Sequence, residues 1–528
     1  MKKVIVLSFI LFFFNSVVQS QSLSNKLDIQ WGDEMKESRR ETLADIVGSD
    51  ETGFYALKVK GAFSPSFTLQ HYNLNLKQTK EVELELEGKE GERELEWVSF
   101  LNGEIYVFSS RADKKTKKNK LYVQKVDKSS LQFTGTLQPL TVIDFSGEKK
   151  RNAGFFGYEI SPDSSKYLIY YEKPYQKGTK AKYGLQVYDN QIKEIWNKTV
   201  TLPYIDQLFE IEQFEIDNRG NVHLNGVVFK DRRLEKRQGS PNYEYHVLSY
   251  TKDSDSFEEY VIKYEGKFLT DMRILVSDND DLYCGGFYSS MGTLSIEGSF
   301  FLVVDSKTKE TKSSSFYKFG IDFITQNMSD REEAKAKKKA SKGKKVELYK
   351  YRLDDMILRS DGGVLLIGEQ FYDYITTSTT YINGSASTTV THHYVRNDII
   401  VINISPDGKI DWTKKIGKRQ HTTDDGGSWS SYALHVYGDK LYFVFNDNPK
   451  NLTYTGDGKM AYFNKGKSSI VALVELDMNG NQKMEALFTA RDVEVLTMPR
   501  VCEQVSEKEL IVFGQRGKTH RFAKISFN

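Results

Sequence analysis

Residues 353–417 read LDDMILRS, DGG, VLLIGEQFY, a polar stretch, DIIVINIS, PDG and KIDWTKKIG. The four apolar segments are short, rich in β-branched residues and bounded by turn formers, which is the pattern of strands. The first and last pairs are each joined by a tight Asp-Gly turn, at Asp361-Gly362 and Asp407-Gly408, and such a dipeptide between apolar runs signals a hairpin. The middle pair is joined by a long polar loop over 372–397. One unit is thus four antiparallel strands with short and long connections in alternation.

The same grammar recurs along the chain. Residues 156–200 carry GYEISPD, KYLIYYEK, YGLQVYDN and KEIWNKTV; 211–264, 270–319 and 432–488 repeat the order, and 43–86 and 95–137 are looser copies. The last copy, 499–528, has only three strands, RVCEQVSE, ELIVFGQR and RFAKISF. The missing fourth appears at the other terminus as Leu27–Met35, LDIQWGDEM, whose Ile-Gln-Trp echoes Ile410-Asp411-Trp412. A repeated four-strand unit signals a repeat architecture, and three strands at one end with one at the other close a ring that leaves no open sheet edge. The expected fold is all-β, a single large β-propeller of eight four-stranded blades closed by the N-terminal strand. Seven blades is the alternative, because the first two copies are the loosest, and a pair of β-sandwiches is the competing architecture.

Val401–Lys414, VINISPDGKIDWTK, resembles the strand-turn-strand of quinoprotein-type propeller repeats, with Gln186–Asn197 and its Trp196 as a second echo. Those proteins are often eight-bladed, and the motif is one of packing, so the resemblance speaks to fold and not to chemistry. The quinoprotein dehydrogenases carry neighbouring cysteines beside their cofactor; here Cys284 and Cys502 are far apart in sequence, which argues against that activity. Ser405–Trp412 also resembles a degenerate sialidase-type Asp box, a turn-stabilising motif. More broadly, the chain is similar to the uncharacterised exported β-propeller proteins of bacteria.

Composition bounds the rest. The chain has 528 residues, 39% hydrophobic and 28% charged, with 31 Tyr and 32 Phe against 9 Pro, enough apolar surface for a packed core and a bias toward strands. Residues 1–20 read as a signal peptide: Lys2 and Lys3, the apolar run 4–14, then Val18-Gln19-Ser20 before a cut. No Cys stands near that cut, so no lipid anchor is expected. Removing this segment takes two lysines and no acid, leaving 72 basic against 72 acidic residues. That balance gives no electrostatic reason to bind nucleic acid. No later segment is apolar enough for a membrane helix, and two cysteines exclude a disulfide-stapled scaffold. The expected domains are 1–20, the signal peptide, and 21–528, the propeller, with a charged insert at 329–346. The expected location is outside the cytoplasm: periplasmic, cell-surface-associated or secreted.

Alternating strand directions place the short a–b and c–d turns on one face and the long b–c and d–a loops, 230–242, 317–350, 372–397, 416–431 and 446–468, on the other. Long loops on a rigid scaffold are where binding residues concentrate. The loop 418–432, KRQHTTDDGGSWSSY, gathers Arg419, Gln420, His421, Asp424, Asp425 and Trp429 on a Gly-containing frame, a set suited to bonding and stacking on a sugar or peptide. Its Asp and Ser residues equally suit a self-bonded, capped loop. His392-His393 point different ways on an extended chain and make a poor metal pair. The insert SDREEAKAKKKASKGKK, 329–345, reads as a frayed helix or a solvated loop able to touch anionic polysaccharide or lipid headgroups. No nucleophile elbow, zinc-protease helix or phosphate loop is present in the sequence, and no metal or other cofactor is implied. The leading expectation is a non-enzymatic binding or scaffold propeller of the cell envelope with a protein or glycan partner. The alternative is a propeller-type glycan hydrolase with carboxylates at the channel mouth.

Overall fold

The computed structural model describes residues 27–528 except 37–40, 62–63, 90, 175–177, 238, 278, 280, 306–307, 309, 383–384, 457 and 467. The expected signal peptide lies outside the described residues. Among the described residues, eight antiparallel sheets of four or more strands follow one another, over 41–83, 94–144, 156–205, 209–262, 268–318, 351–416, 433–489 and 503–527, and are called blades 1 to 8. In blade 8 the outer strand is Leu27–Trp31, paired with the last strand in the register Leu27↔Phe527 to Trp31↔Ala523.

The ring follows from how the blades bury their faces. In blade 6, Leu365 and Ile367 pack with Phe443 and Val474 of blade 7, while Val364 and Leu366 pack with Phe287 and Phe301 of blade 5. Successive strand residues point to opposite faces, and both faces are covered, so the strand reads as an unbroken VLLI rather than an alternation. Every consecutive pair of blades shares such a cluster, from Tyr55 with Val107 between blades 1 and 2 to Val444 with Val512 between blades 7 and 8. Blades 8 and 1 then close the circle through Phe513 and Phe522 with Phe54 and Tyr72. The protein is a single all-β propeller.

Two details depart from the sequence reading. Residues 372–382 and 385–397, expected as a loop, continue two strands, Val364–Ile382 and Ser385–Ile404, paired from Phe371↔Arg396 out to Ile382↔Ser385. The run of Thr and Ser is strand-compatible because cross-strand hydroxyl pairs suit a solvated ribbon. Trp31 also departs from its echo. Trp412 faces blade 7 because a bulge at Asp411 resets the register after Ile410, which faces blade 5; Leu27–Trp31 has no bulge, and Trp31 meets Phe488 of blade 7, the preceding blade, at 4.8 Å. One extra residue changes the face that every following side chain presents.

The innermost strands bring acids to the axis. Glu215 of blade 4 feels Asp355 of blade 6, and Tyr158 of blade 3 feels Glu503 of blade 8. Blades that far apart in the ring meet only across its centre.

Candidate functional site

The long-loop side of blade 6 carries the densest set of exposed recognition groups. Tyr372 and Tyr374 lie two apart on one strand and so share a face. Tyr374 stands directly opposite His393 in the ladder, and the short strand Gln420–Thr423 adds His421 diagonally, through Val395↔His421 and His393↔Thr423. The result is a ribbon of rings. Tyr349 contacts Tyr372 (centroids 6.4 Å), Tyr372 stacks with Tyr374 (6.2 Å), and Tyr374 stacks flat on His393 (4.3 Å). His393 meets His421 (5.2 Å), and His421 meets Tyr462 (6.5 Å). Tyr349, Tyr374 and Tyr462 are 49%, 39% and 47% exposed. A ring ribbon this open is unusual for a group that prefers burial.

Polar atoms fix its geometry. His393 Nδ1 and His421 Nε2 lie 3.0 Å apart, and Thr376 Oγ1 lies 2.8 Å from His393 Nε2. Burial, with His393 adding to it, holds His421 below the usual imidazole range. Cations edge the ribbon. Lys350 Nζ sits over Tyr372 at 5.0 Å and Tyr349 at 5.5 Å. The Arg419 guanidinium lies over Tyr462 at 4.1 Å and donates to its hydroxyl at 2.8 Å.

Beside the ribbon opens a cavity of about 430 Å³, walled by Tyr349, Arg419, Gln370 and Asn397 and by the charged insert. A short helix, α1 (Ile321–Thr325), precedes the insert, and the insert itself forms α2 (Asp330–Ala340). Ser329 accepts from the Glu332 amide and Glu332 accepts from Ser329, a capping box that fixes where α2 starts. The helix is anchored at its start and buries no side chain.

The loop 418–432 divides by role. Arg419 and His421 face the ribbon. Gln420 is fully buried, donating to the Asn446 carbonyl at 2.8 Å and accepting from the Ser431 amide at 2.7 Å. Asp424, in the left-handed region at φ +52, accepts from the His392 amide at 2.8 Å. Asp425 accepts from Thr422, the Gly427 amide and Lys465. Trp429 packs against Phe463 and Leu496 and donates to the Gln515 carbonyl. Beneath the loop, Lys418 Nζ donates to Glu369 at 2.6 Å with neither side chain exposed. Burial raises the Glu369 carboxyl and lowers the Lys418 ammonium, while the opposite charge of each partner resists both shifts.

The ring residues outside this loop escape a motif search because they come from four separate stretches. The sequence signals are the pair His392-His393, of which His393 joins the ribbon, and Tyr372-x-Tyr374, which becomes informative once the polar stretch is known to be strand.

A second acid-bearing cavity of about 460 Å³ opens between blades 3 and 4, lined by Glu159, Glu212, Tyr170, Tyr183 and Arg273 among others. Burial pushes Glu159 up to about 7, against the pull of Arg273. Glu212 is also pushed up to about 7, by burial and then by Asp271 and Glu210. Glu212 is itself exposed, so solvent screens its charge more than that of half-buried Glu159. Among the described residues no group of three or more His, Cys, Asp or Glu is placed to hold a metal ion, and no helix is long and apolar enough to cross a membrane.

No protein-family model and no curated protein matches this chain. Among solved structures, the WD40 domain of SCAP from fission yeast aligns at TM-score 0.39 and 9% identity, over 95% of this chain and 98% of that one. The polysaccharide lyase Uly1 aligns at 0.36 and 10%, over 94% and 100%. Prolyl oligopeptidase B from Galerina marginata aligns at 0.38 and 9%, over 91% of this chain and 55% of that one. Likenesses this remote carry nothing about activity; the sheets and their interfaces are what define the fold.

Proposed function

We propose that this chain is an exported binding propeller that holds a glycan on the long-loop face of blade 6. The observation that supports it is the ribbon of six rings from Tyr349 to Tyr462, exposed at Tyr349, Tyr374 and Tyr462, half-buried between them, and edged by Lys350 and Arg419. Ring faces stack on the apolar faces of sugars, and hydroxyl, imidazole and guanidinium groups at their edges bond to sugar hydroxyls. The neighbouring cavity has the volume of a small-ligand site. A glycan microarray probed with the labelled chain should give signal that Tyr349→Ala and Arg419→Ala each reduce at unchanged melting temperature. Signal indifferent to both substitutions, or none on any glycan, overturns the reading. Export is tested by N-terminal mass analysis of secreted material, which should begin at or near Gln21.

A second reading, hydrolysis of a glycan at the channel mouth, is favoured by Glu159, a carboxyl that holds its proton near neutral pH, beside Glu212 in one cavity. Glycoside hydrolysis uses two carboxyls flanking the scissile bond, one of them able to give a proton near neutral pH. Release of reducing ends from a bound polysaccharide, abolished by Glu159→Gln, is the outcome that selects this reading over simple binding.

A further inference from the structure

The charged helix α2 presents two different faces. Glu332, Lys335, Ala336 and Lys339, spaced three and four apart, line the cavity beside the ring ribbon. Lys337, on another face, is paired with Asp322 at 3.0 Å and Glu333 at 2.7 Å. The cavity holds acids as well, but each already accepts bonds from its own surroundings. Glu332 accepts from Ser329, Glu347 from Ser289 and the Ser290 amide, and Asp398 from Asn327 and the Lys418 amide. Of the cavity's cations, Lys418 is matched by Glu369, and Lys415 is held by the Phe323 carbonyl at 2.7 Å. Lys335 and Lys339 make no ion pair among the described residues, and Arg419, whose charge also acts on Glu332 across the cavity, gives its hydrogen bonds to neutral groups, the Tyr462 hydroxyl and the Met460 carbonyl. With Lys418 matched by Glu369, the cavity lining still carries Lys335, Lys339, Lys415 and Arg419 against the acids Glu332, Glu347 and Asp398, an excess of positive charge beside rings that suit sugar stacking.

We infer that the glycan held on blade 6 is an acidic polysaccharide, whose carboxylate or sulfate groups enter the cavity and pair with Lys335, Lys339 and Arg419. This rests on the glycan-binding reading above and adds the ligand's charge to it. A lipid surface fits less well. The cations line a concave wall between a helix and a sheet, whereas membrane-binding helices set basic residues around an exposed apolar face, and α2 has none. The helix then has a purpose that its lack of buried residues leaves unexplained: it supplies charge at a fixed distance from the rings.

The test is electrophoresis of the full chain through gels containing polygalacturonate, alginate or dextran sulfate, with dextran and laminarin as neutral counterparts. Retardation is expected in at least one anionic gel and in neither neutral gel, and should vanish in about 0.5 M salt, where screening lengths fall to a few ångströms. Lys335→Glu with Lys339→Glu should weaken retention roughly tenfold or more, Lys337→Glu should leave it unchanged, and the Lys→Arg pair should restore it. Equal retardation by neutral polymers that ignores the double reversal overturns the acidic assignment and leaves glycan binding standing. Retention by no polymer overturns both. Equal loss in the double reversal and in Lys337→Glu marks unspecific charge attraction and overturns the assignment, as does lysine-dependent binding seen only with phosphatidylserine vesicles.

Discussion

Trp196 and Trp412 show how one side chain joins two blades. Each stands on the outer strand of its blade and donates its indole N–H at 2.9 Å to a turn carbonyl of the next blade, Trp196 to Gly220 and Trp412 to Met478. The bond and the ring are lost together on truncation. Trp196→Ala, at a buried site, should lower stability by about 3–5 kcal/mol, and Trp412→Ala, half-buried, by about 2–3 kcal/mol; chemical denaturation of both variants measures the difference. Glu215 governs a different property at this scale. Burial, with Glu159 and Asp355 adding to it, pushes its carboxyl up to about 8 against Gln213 and Arg273, and burial takes Glu159 to about 7. A carboxyl raised in the fold stabilises it while protonated and loses that contribution as pH rises through the folded value. Buried His435, pushed down to about 4 from 6.5, acts the other way, but only below 6.5, where the unfolded ring takes up a proton and the folded one does not. The melting temperature should therefore fall from pH 6.5 to pH 8, and Glu215→Gln should flatten that fall. An unaltered slope in the variant assigns the effect to other groups.

At the scale of elements, the innermost strand pairs of blades 1, 2, 4, 5 and 6 share a bulge near their start, at Leu43/Asp45, Leu95/Trp97, Ile211/Gln213, Leu269/Asp271 and Leu353/Asp355. The bulge pushes a carbonyl toward the neighbouring strand, and glycine recurs there for want of space. A Cβ on Gly286 would stand 2.0 Å from the Asp271 carbonyl oxygen, and one on Gly226 2.8 Å from that of Glu210. Gly286→Ala should cost about 1–3 kcal/mol through forced backbone movement, visible as a lower denaturation midpoint. The closing strand and the insert helix make a paired comparison. Deleting 27–36 removes Leu27, Ile29 and Trp31 from the blade 7–8 cluster and bares the edge strand Thr519–Phe527. Deleting 331–345 removes a helix with no buried side chain. Thermal melts should show a large loss for the first and little change for the second, and comparable losses would mean that the N-terminal strand does not close the ring.

For the whole molecule, ring closure separates the two cysteines. Cys284 is fully buried in the cluster between blades 4 and 5, and Cys502 packs between blades 7 and 8. Both are free, and burial pushes each thiol up to about 12, which leaves little thiolate to react. Native protein should resist alkylation at pH 7, and denaturation without reductant should release two reactive groups per chain. An internal disulfide found by mass analysis would place these strands side by side, contrary to the ring.

Whatever depends on near neighbours along the chain is legible in the order of residues alone. The period-two and doubly buried runs such as VLLIG, the Asp-Gly turns and the split of one blade between the termini are local signals, and they carry the propeller. Fixed residues at fixed spacings also located the loop 418–432. What that loop does was decided only in three dimensions. Gln420 is a buried strut, Asp424 and Asp425 hold turns, Trp429 docks on blade 8, and only Arg419 and His421 reach the exposed rings. The rings that complete the ribbon, from Tyr349 to Tyr462, are brought together by strand register and blade packing, which set distances between residues far apart in sequence. A linear pattern fixes the face on which a side chain points; only the folded ring fixes what stands opposite it.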